Sequence, residues 1–306
     1  MRGAVQALTA VSTLVIDLGK TACRIRIGPA EAEASGAAGL AEQDGHTRAI
    51  SAVERVLSKL PATALASVVA VGIGAAGFDA NPEAGMAFAQ HVARRLRSPT
   101  AITSDVVTAH LGALDGAPGT VLVVGTGAVA WSINAAGVVR RADGWGIWLG
   151  DEGSGRWIGR EGLAAALCAA DGRGAETTLR SAAIELAGSI GRLPRIIGGD
   201  PAPERQLASF APTVLAHATA GDPVANAVIG AAIRHLVVTA TAVSSGVDPI
   251  SVLGGLTRDP SFAAQLGSAL LAEGLHLVQP VGDALAGAAT VAIRTDLPHE
   301  RCVLRV

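Results

Sequence analysis

The sequence has few charged residues and almost no net charge. Its 306 residues include 24 basic and 26 acidic side chains, for a net charge of −2 with histidine neutral. No sequence-wide basic field is available to hold a nucleic acid or an anionic membrane surface, so neither partner is expected. Tyrosine is absent and Lys20 and Lys59 are the only lysines, a bias that we attribute to codon composition and that predicts no function.

The sequence also has few cysteines and lacks two common catalytic motifs. Cys23, Cys168 and Cys302 form no CxxC or Cys/His spacing, which argues against a zinc site or a disulfide framework and fits the cytoplasm, where we expect the protein. No HExxH or GxSxG motif occurs. Polar residues interrupt residues 1–16 before a secretory core forms, and no later stretch approaches the ~18 uninterrupted apolar residues of a membrane span.

Half of the residues are hydrophobic, and a chain of this length favours two domains. Runs rich in Val and Ile predict strands, and longer runs rich in Ala, Leu and Arg predict helices. The predicted strands are 12–17, 22–27, 66–73, 99–103, 119–125, 128–134, 250–253 and 275–278. The predicted helices are 46–59, 83–97, 106–114, 152–170, 176–188, 204–219, 223–244, 260–272 and 283–295. This alternation indicates an α/β fold.

An internal similarity suggests a duplication. Residues 13–19 (TLVIDLG) and 121–127 (VLVVGTG) are both a buried-type strand that enters a glycine turn, and a second strand follows each turn directly. Two halves that open with the same hairpin predict a duplicated α/β domain whose two glycine turns face each other across a cleft.

The first turn contains Asp17, Gly19, Lys20 and Thr21. Its backbone N–H groups and the Thr21 hydroxyl could bind phosphate, and Asp17 could hold a hydrated Mg²⁺ ion. The alternative is an ordinary hairpin turn. A P-loop is excluded because Leu14 stands where that motif needs glycine and because a strand follows.

The second turn, Gly125, Thr126 and Gly127, has the same capacity to bind phosphate. Its spacing also satisfies the dinucleotide-binding fingerprint, as does that of residues 72–77. That motif must open directly into a helix, whereas a strand-like segment follows the turn and a loop follows residue 77. A dehydrogenase is therefore disfavoured.

Asp105 and a glycine pair stand at the ends of predicted strands. Asp105 precedes a helix, so it is either an N-cap or a base for a substrate hydroxyl. Gly254 and Gly255 could let an adenosine lie against the backbone, or could serve close helix–strand packing.

The segment 143–160 holds three of the four tryptophans and six glycines. Asp151 and Glu152 could cap the helix that follows. Carboxylates beside an aromatic wall are also typical of a site for a ligand with many hydroxyl groups. We favour the ligand site.

These motifs together resemble the BadF/BadG/BcrA/BcrD ATPase family, and within it the N-acetylglucosamine and glucosamine kinases. The resemblance rests on DLGKT, SDVVTAHLGAL, VLVVGTGAVAW, GWGIWLGDEGSGRWIGREGL, ATAGDPVANAVI, VLGGL and GDALAGAATVA, and it covers nearly the whole chain. It implies two ribonuclease H-like (actin-like ATPase) α/β domains around a nucleotide cleft. We expect the first domain at 1–115, joined by a C-terminal helix over 284–306, and the second at 116–283.

The resemblance also implies a role for each matching residue. Asp105 is the expected catalytic base, and Asp17 is expected to hold Mg²⁺ through water. The expected ATP-binding residues are Asp17, Gly19, Lys20, Thr21, Gly125, Thr126, Gly127, Gly254 and Gly255. The expected sugar-binding residues are Ala76, Gly144, Trp145 and Asp151.

The sequence departs from the family pattern at the expected sugar pocket. Lys20 stands where glycine is frequent, Ala128-Val129 where Ser-Asn is frequent and Ala76 where serine is common, and the loop 28–45 lacks an asparagine. These departures remove polar contacts to an N-acetyl sugar more than they affect phosphoryl transfer.

The resulting hypothesis is an ATP-dependent hexosamine kinase that acts on N-acetylglucosamine or glucosamine at the 6-hydroxyl. The alternatives are an ATPase that drives a partner protein, whose relatives need cysteines for an iron–sulfur cluster, and a sugar sensor without turnover. We also expect a homodimer, since the Ala-rich helices of the second half suit an interface as well as a core.

Overall fold

The structure is a computed structural model that describes residues 12–200 and 202–306. The chain forms two compact units. The first comprises the described residues up to 117 together with 135–137 and 280–306, and the second comprises 118–134 and 138–279. Residues 1–11, which belong to the first predicted domain and to the segment judged not to be a secretory leader, lie outside the described residues.

The elements alternate between strands and helices along the chain. In chain order the strands are β1 (Ser12–Leu18), β2 (Ala22–Ile27), β3 (Ala30–Ser35), β4 (Val68–Ala75), β5 (Thr100–Ser104), β6 (Gly119–Val124), β7 (Ala128–Ile133), β8 (Val139–Asp143), β9 (Pro249–Leu253), β10 (His276–Leu277) and β11 (Leu304–Arg305). The helices are α1 (Gly45–Leu57), α2 (Ala62–Leu65), α3 (Pro82–Leu96), α4 (Asp105–Leu114), α5 (Gly155–Ala170), α6 (Leu179–Ala187), α7 (Leu193–Gly198), α8 (Pro203–Ala208), α9 (Ala211–Thr219), α10 (Pro223–Val243), α11 (Pro260–Ala272) and α12 (Ala284–Ile293). Short 3₁₀ helices cover Ile190–Arg192, Gly255–Arg258 and Pro298–Cys302.

The first unit contains a six-stranded sheet in the order β11-β5-β4-β1-β2-β3. Strands β1, β4 and β5 run parallel, while β1, β2 and β3 form an antiparallel meander. Alternation along β1 sends Leu14 and Ile16 into the core shared with α1 and α3, whereas Val15 packs on the opposite face against Leu285 and Ala288 of α12. Helices therefore cover both faces of this sheet.

The second unit repeats this architecture. Its sheet has the order β10-β9-β6-β7-β8, in which β6, β9 and β10 are parallel and β6, β7 and β8 form an antiparallel meander. The order matches β5-β4-β1-β2-β3 strand for strand, and both hairpins detected in the sequence lie at equivalent places. The predicted α/β class and the duplication of a ribonuclease H-like unit are confirmed.

Four local predictions are wrong. The C-terminal helix predicted over 284–306 ends at Ile293, and a 3₁₀ helix that begins at Pro298 and the strand β11 follow it. The predicted helix 204–219 is two helices, α8 and α9, because Pro212 in the first turn of α9 cannot continue a preceding helix. The loop predicted over 28–45 contains β3, and β8 was missed. Both are edge strands with many exposed residues, so neither has the apolar run by which a buried strand is detected.

Helix α10 is the one described helix that is long and apolar enough to span a membrane by length and composition. Polar residues, Asn226, Arg234 and His235, interrupt it. Its buried residues, among them Ile229 and Leu236, belong to the core of the second unit. One face of α10 therefore packs in that core.

The Asp222 side chain accepts hydrogen bonds both from the start of α10 and from the segment before α6. Its Oδ1 accepts hydrogen bonds from the Val224 and Ala225 N–H groups at 2.9 Å. Its Oδ2 accepts from the Thr177 hydroxyl at 2.9 Å, and from the Thr178 N–H at 2.7 Å and hydroxyl at 2.8 Å. These donors outweigh burial and hold the pKa of Asp222 well below its usual range.

We expect Asp222→Ala to lower the free energy of unfolding by about 3 kcal/mol, because it leaves several buried donors unsatisfied. The matched control is Asp259→Ala, which removes one capping bond, to the Phe262 N–H at 2.8 Å on α11, and should cost about 1 kcal/mol. Chemical denaturation at pH 7 measures both. Equal losses in the two variants would contradict the bridging role of Asp222.

Candidate active site

The first glycine turn joins β1 to β2. Gly19 N–H donates to Ala22 O at 2.9 Å, which closes the turn. The N–H groups of the next two residues, Lys20 and Thr21, have no acceptor among the described residues, and both residues are exposed. The segment after β3 packs on the turn so closely that a Cβ on Gly36 would lie 2.2 Å from Gly19 O. The turn is thus rigid and presents two adjacent donors.

The Lys20 side chain pairs with a carboxylate of the first unit. Its Nζ lies 3.6 Å from a carboxylate oxygen of Glu42, and its Cε lies 3.5 Å from the position that a Cβ would take on Gly39. The Lys20–Glu42 pair is about half exposed, so it contributes little to stability and leaves the ammonium available to an anion.

Asp17, near the end of β1, is paired with Arg24 on β2. The two residues are cross-strand neighbours, and Arg24 Nη2 lies 2.8 Å from Asp17 Oδ2. Burial raises the pKa of Asp17, and the hydrogen bond and charge of Arg24 oppose that rise. A part-buried carboxylate is thereby provided beside the first glycine turn.

Asp105 lies at the carboxyl end of β5 and begins α4. Its Oδ1 accepts a hydrogen bond from its neighbour, the Val106 N–H, at 3.0 Å. Burial raises the pKa of Asp105 from 3.8 to about 6, and the charges of Asp17 and Asp79 add to the rise. The carboxyl group is therefore suited to accept a proton near neutral pH.

Ala76 lies at the same edge of the first sheet. It is buried, its N–H donates to Leu18 O at 2.9 Å, and its carbonyl accepts from the Leu40 N–H at 2.8 Å. Because β1, β4 and β5 are parallel, their carboxyl ends meet at one edge, so the first unit gathers the first turn, Ala76 and Asp105 there.

The second glycine turn joins β6 to β7 in the second unit. Gly125 N–H donates to Gly127 O at 2.9 Å, and the Thr126 and Gly127 N–H groups have no acceptor among the described residues. The first N–H groups of α5 donate to the turn's carbonyls, from Gly155 to Gly125 at 2.8 Å and from Arg156 to Thr126 at 3.1 Å. This turn repeats the two adjacent free donors of the first.

Gly254 packs against the strand that leads into the second turn. It has φ +113°, and a Cβ there would lie 2.3 Å from Val124 O, so any side chain is excluded at this position. Nothing lies within 4 Å of the Cβ position of Gly255. The glycine pair therefore combines a close backbone contact with an open surface.

The loop between β8 and α5 is organised by Asp143. Its Oδ1 accepts from the N–H groups of Gly144 and Asp151, both at 2.7 Å, and its Oδ2 accepts from the Glu152 N–H at 2.8 Å. Asp151 in turn accepts from the Ala128 N–H at 3.2 Å with its Oδ1, which attaches the loop to the end of the second turn. The predicted sugar residues Gly144 and Asp151 are thus held by one carboxylate.

The tryptophans of this segment divide between surface and core. Trp145 is 70% exposed and Trp148 85% exposed, and the Arg141 guanidinium lies 5.6 Å from the Trp145 ring centroid. Trp157 is buried, in edge contact with His235. Trp145 is therefore available to stack on a ligand.

Sequence reasoning missed two functional candidates. Arg24 could have been paired with Asp17 by counting residues across the hairpin. No sequence pattern pointed to Asp143, because its carboxylate accepts hydrogen bonds from backbone N–H groups that the folded loop brings to it.

Among the described residues, no cluster of three or more His, Cys, Asp or Glu side chains could hold a metal by itself. A Mg²⁺ ion bound with substrate phosphates needs only one or two carboxylates. Asp17 fits that need, since its Oδ1 has no hydrogen-bond partner in the described part of the chain.

Ionising Asp105 costs stability, because its pKa in the folded protein is raised to about 6 from 3.8. We therefore expect Asp105→Asn to raise the thermal unfolding midpoint at neutral pH. The gain should vanish as the pH falls from about 6 to about 4. Melting curves across this range measure it, with Glu185→Gln, which changes an exposed residue of α6 in the second unit, as the control. A lower midpoint for Asp105→Asn at neutral pH would contradict the assignment.

Comparison with solved structures agrees with this architecture. A candidate N-acetylglucosamine kinase from Chromobacterium violaceum is 27% identical, with a TM-score of 0.77 over 92% of this chain and 99% of that one. A second candidate N-acetylglucosamine kinase, from Porphyromonas gingivalis, is 19% identical, with a TM-score of 0.72 over 91% and 98%. A ROK family glucokinase from Streptomyces griseus, solved with glucose and AMPPNP, is 18% identical, with a TM-score of 0.55 over 92% and 99%.

Family models extend the comparison to sequence. No curated protein matches the chain significantly. The model of the BadF/BadG/BcrA/BcrD ATPase family matches residues 14–292, which include both glycine turns, Asp105 and the Asp143 loop. The chain belongs to the BadF/BadG/BcrA/BcrD ATPase family.

Proposed function

We propose that this protein is an ATP-dependent sugar kinase that phosphorylates an amino sugar, N-acetylglucosamine or glucosamine, at its 6-hydroxyl. The observation that carries the proposal is the pair of glycine turns, each with two adjacent free N–H groups, the first of them beside the carboxylates of Asp17 and Asp105. The likeness to the Chromobacterium violaceum candidate N-acetylglucosamine kinase supports it.

Both glycine turns bind phosphate in this proposal. The N–H groups of Lys20 and Thr21, and those of Thr126 and Gly127, donate to oxygens on which negative charge grows during transfer. Such donors are fixed before the reaction, so little reorganisation is needed. Gly255, with open space at its Cβ position, suits the adenosine.

Asp17 holds Mg²⁺ through water by its free Oδ1. When bound, the ion neutralises charge on the β- and γ-phosphates. Asp17 also contributes to the raised pKa of Asp105 through its negative charge, so the two carboxylates work as a pair.

Asp105 accepts the proton of the sugar hydroxyl as the oxygen attacks the γ-phosphorus in line, while the bond from that phosphorus to the β,γ-bridging oxygen breaks and ADP leaves with its electron pair. Its pKa of about 6 leaves it ionised at neutral pH while it remains basic enough to accept a proton. Its position at the start of α4 fixes it against the sheet edge.

Asp151 and Trp145 hold the sugar. A carboxylate accepts hydrogen bonds from sugar hydroxyls, and an indole covers an apolar face of the ring. Asp143 keeps the loop backbone in place through its three hydrogen bonds, so little ordering is required on binding.

ADP release from Mg-ATP should be stimulated by one amino sugar in a panel of glucosamine, N-acetylglucosamine, N-acetylmannosamine, glucose and no sugar. A coupled assay measures it, and NMR of the product locates the phosphate. Equal release without sugar would instead favour an ATPase that drives a partner protein. Sugar binding without any release would favour a sensor.

Asp105→Asn should lower kcat by about 10²–10⁴-fold with little change in ATP affinity, because it removes the base. In the wild type, kcat should fall as the pH drops through about 6, where Asp105 becomes protonated. Steady-state rates from pH 5 to 8 measure both effects.

Asp79→Asn is a second test of this pH profile. It removes a charge that raises the pKa of Asp105, so it should move the acid limb to lower pH and leave the maximal rate intact. Normal turnover in Asp105→Asn would refute the assignment of the base.

A further inference from the structure

Arg24 makes three hydrogen bonds to two carboxylates of the first unit. Its Nη2 and Nε donate to Asp17 Oδ2 at 2.8 and 3.3 Å, and its Nη1 donates to Asp283 Oδ2 at 3.2 Å. The Arg24 and Asp17 side chains are only 29% and 19% exposed, so this pair is shielded from solvent better than a surface ion pair is.

Arg24 hydrogen-bonds to one of the two carboxylate oxygens of Asp17. Both Arg24 donors end on Oδ2, and Oδ1 has no hydrogen-bond partner in the part of the chain that the structure describes. The planar guanidinium fork fixes the orientation of the group it binds. Arg24 therefore occupies one oxygen of Asp17 and leaves the other for a ligand.

Asp283 fixes the other end of Arg24. Its Oδ1 caps α12 by accepting from the Ala286 N–H at 3.0 Å, while its Oδ2 accepts from Arg24. Helix α12 packs on β1 and β4 of the six-stranded sheet. The Arg24 guanidinium is thus held by a side chain that is itself fixed at the start of α12.

We propose that Arg24 is a positioning residue for phosphoryl transfer, which holds Asp17 by Oδ2 so that Oδ1 alone accepts a water of hydrated Mg²⁺, with Asp283 orienting Arg24. The inference rests on the proposed kinase function. Partners that orient a metal-binding group commonly change metal affinity or activity by about 10–100-fold when they are replaced.

The test uses Arg24→Lys, which keeps the charge and loses the fork. Calorimetry measures the affinity for ATP in EDTA and its increase as Mg²⁺ is added, in the absence of sugar. We expect the affinity in EDTA to be nearly unchanged, and the Mg²⁺ concentration for half-maximal increase to rise about tenfold. In the sugar assay, kcat should fall more than the KM for sugar rises.

Two further variants separate positioning from a structural role. Asp283→Asn should shift the Mg²⁺ dependence in the same direction but less, and adding it to Arg24→Lys should cause little further change, because both act through one contact. Arg26→Lys is the matched control: Arg26 lies on the same strand, 3.8 Å from Asp283, and bonds no atom of Asp17. Its Mg²⁺ dependence should equal that of the wild type.

The outcomes distinguish this inference from the proposed function. A wild-type protein that binds Mg-ATP and phosphorylates a sugar, with an unchanged Mg²⁺ dependence in Arg24→Lys, would overturn the positioning role alone. A wild-type protein that binds no Mg-ATP would overturn both. If Arg24→Lys fails to fold by thermal melting, Asp283→Asn decides, and its wild-type Mg²⁺ dependence would overturn the role.

Discussion

Close packing of α12 against α4 is the contact on which the first unit's chemistry depends. A Cβ on Gly287 would lie 1.8 Å from Thr108 O, and one on Gly112 would lie 1.9 Å from Asp283 O, so only glycine permits this approach. Helix α4 begins with Asp105, and Asp283 caps α12. The two helices therefore fix Asp105, the proposed base, and Asp283 together, and a side chain at either glycine would displace both.

The two units use the same hairpin with different electrostatics. In the first unit, few protein groups donate hydrogen bonds to the carboxylates of Asp17 and Asp105. Burial raises the pKa of both. In the second unit the carboxylate of Asp143 is filled by three backbone N–H groups. The first arrangement leaves charge available for a reaction, whereas the second uses charge to hold a loop still.

Asp105 and Asp222 show how environment decides what a carboxylate does. Both lie at helix starts and both lose solvent on folding. Burial and the negative charges of Asp17 and Asp79 raise the pKa of Asp105 more than its hydrogen bond from the Val106 N–H lowers it. The carboxylate of Asp222 accepts from five donors, which outweigh burial, so its pKa falls. Both residues lie at a helix start, but the number of surrounding donors and the nearby charges shift their pKa values in opposite directions.

The sequence by itself determined the buried strands, both glycine hairpins, their duplication and the family, because these features depend on neighbours within a few residues. It did not reveal β3 and β8, whose exposed edges carry no apolar run, nor the break before Pro212 in a segment otherwise typical of one helix. Only the tertiary structure decided the contact between Arg24 and Asp283 and the hydrogen bonds of Asp143. Arg24 and Asp283 are 259 residues apart in sequence, and Asp143 binds backbone N–H groups, which every residue except proline has and which therefore leave no pattern in the sequence.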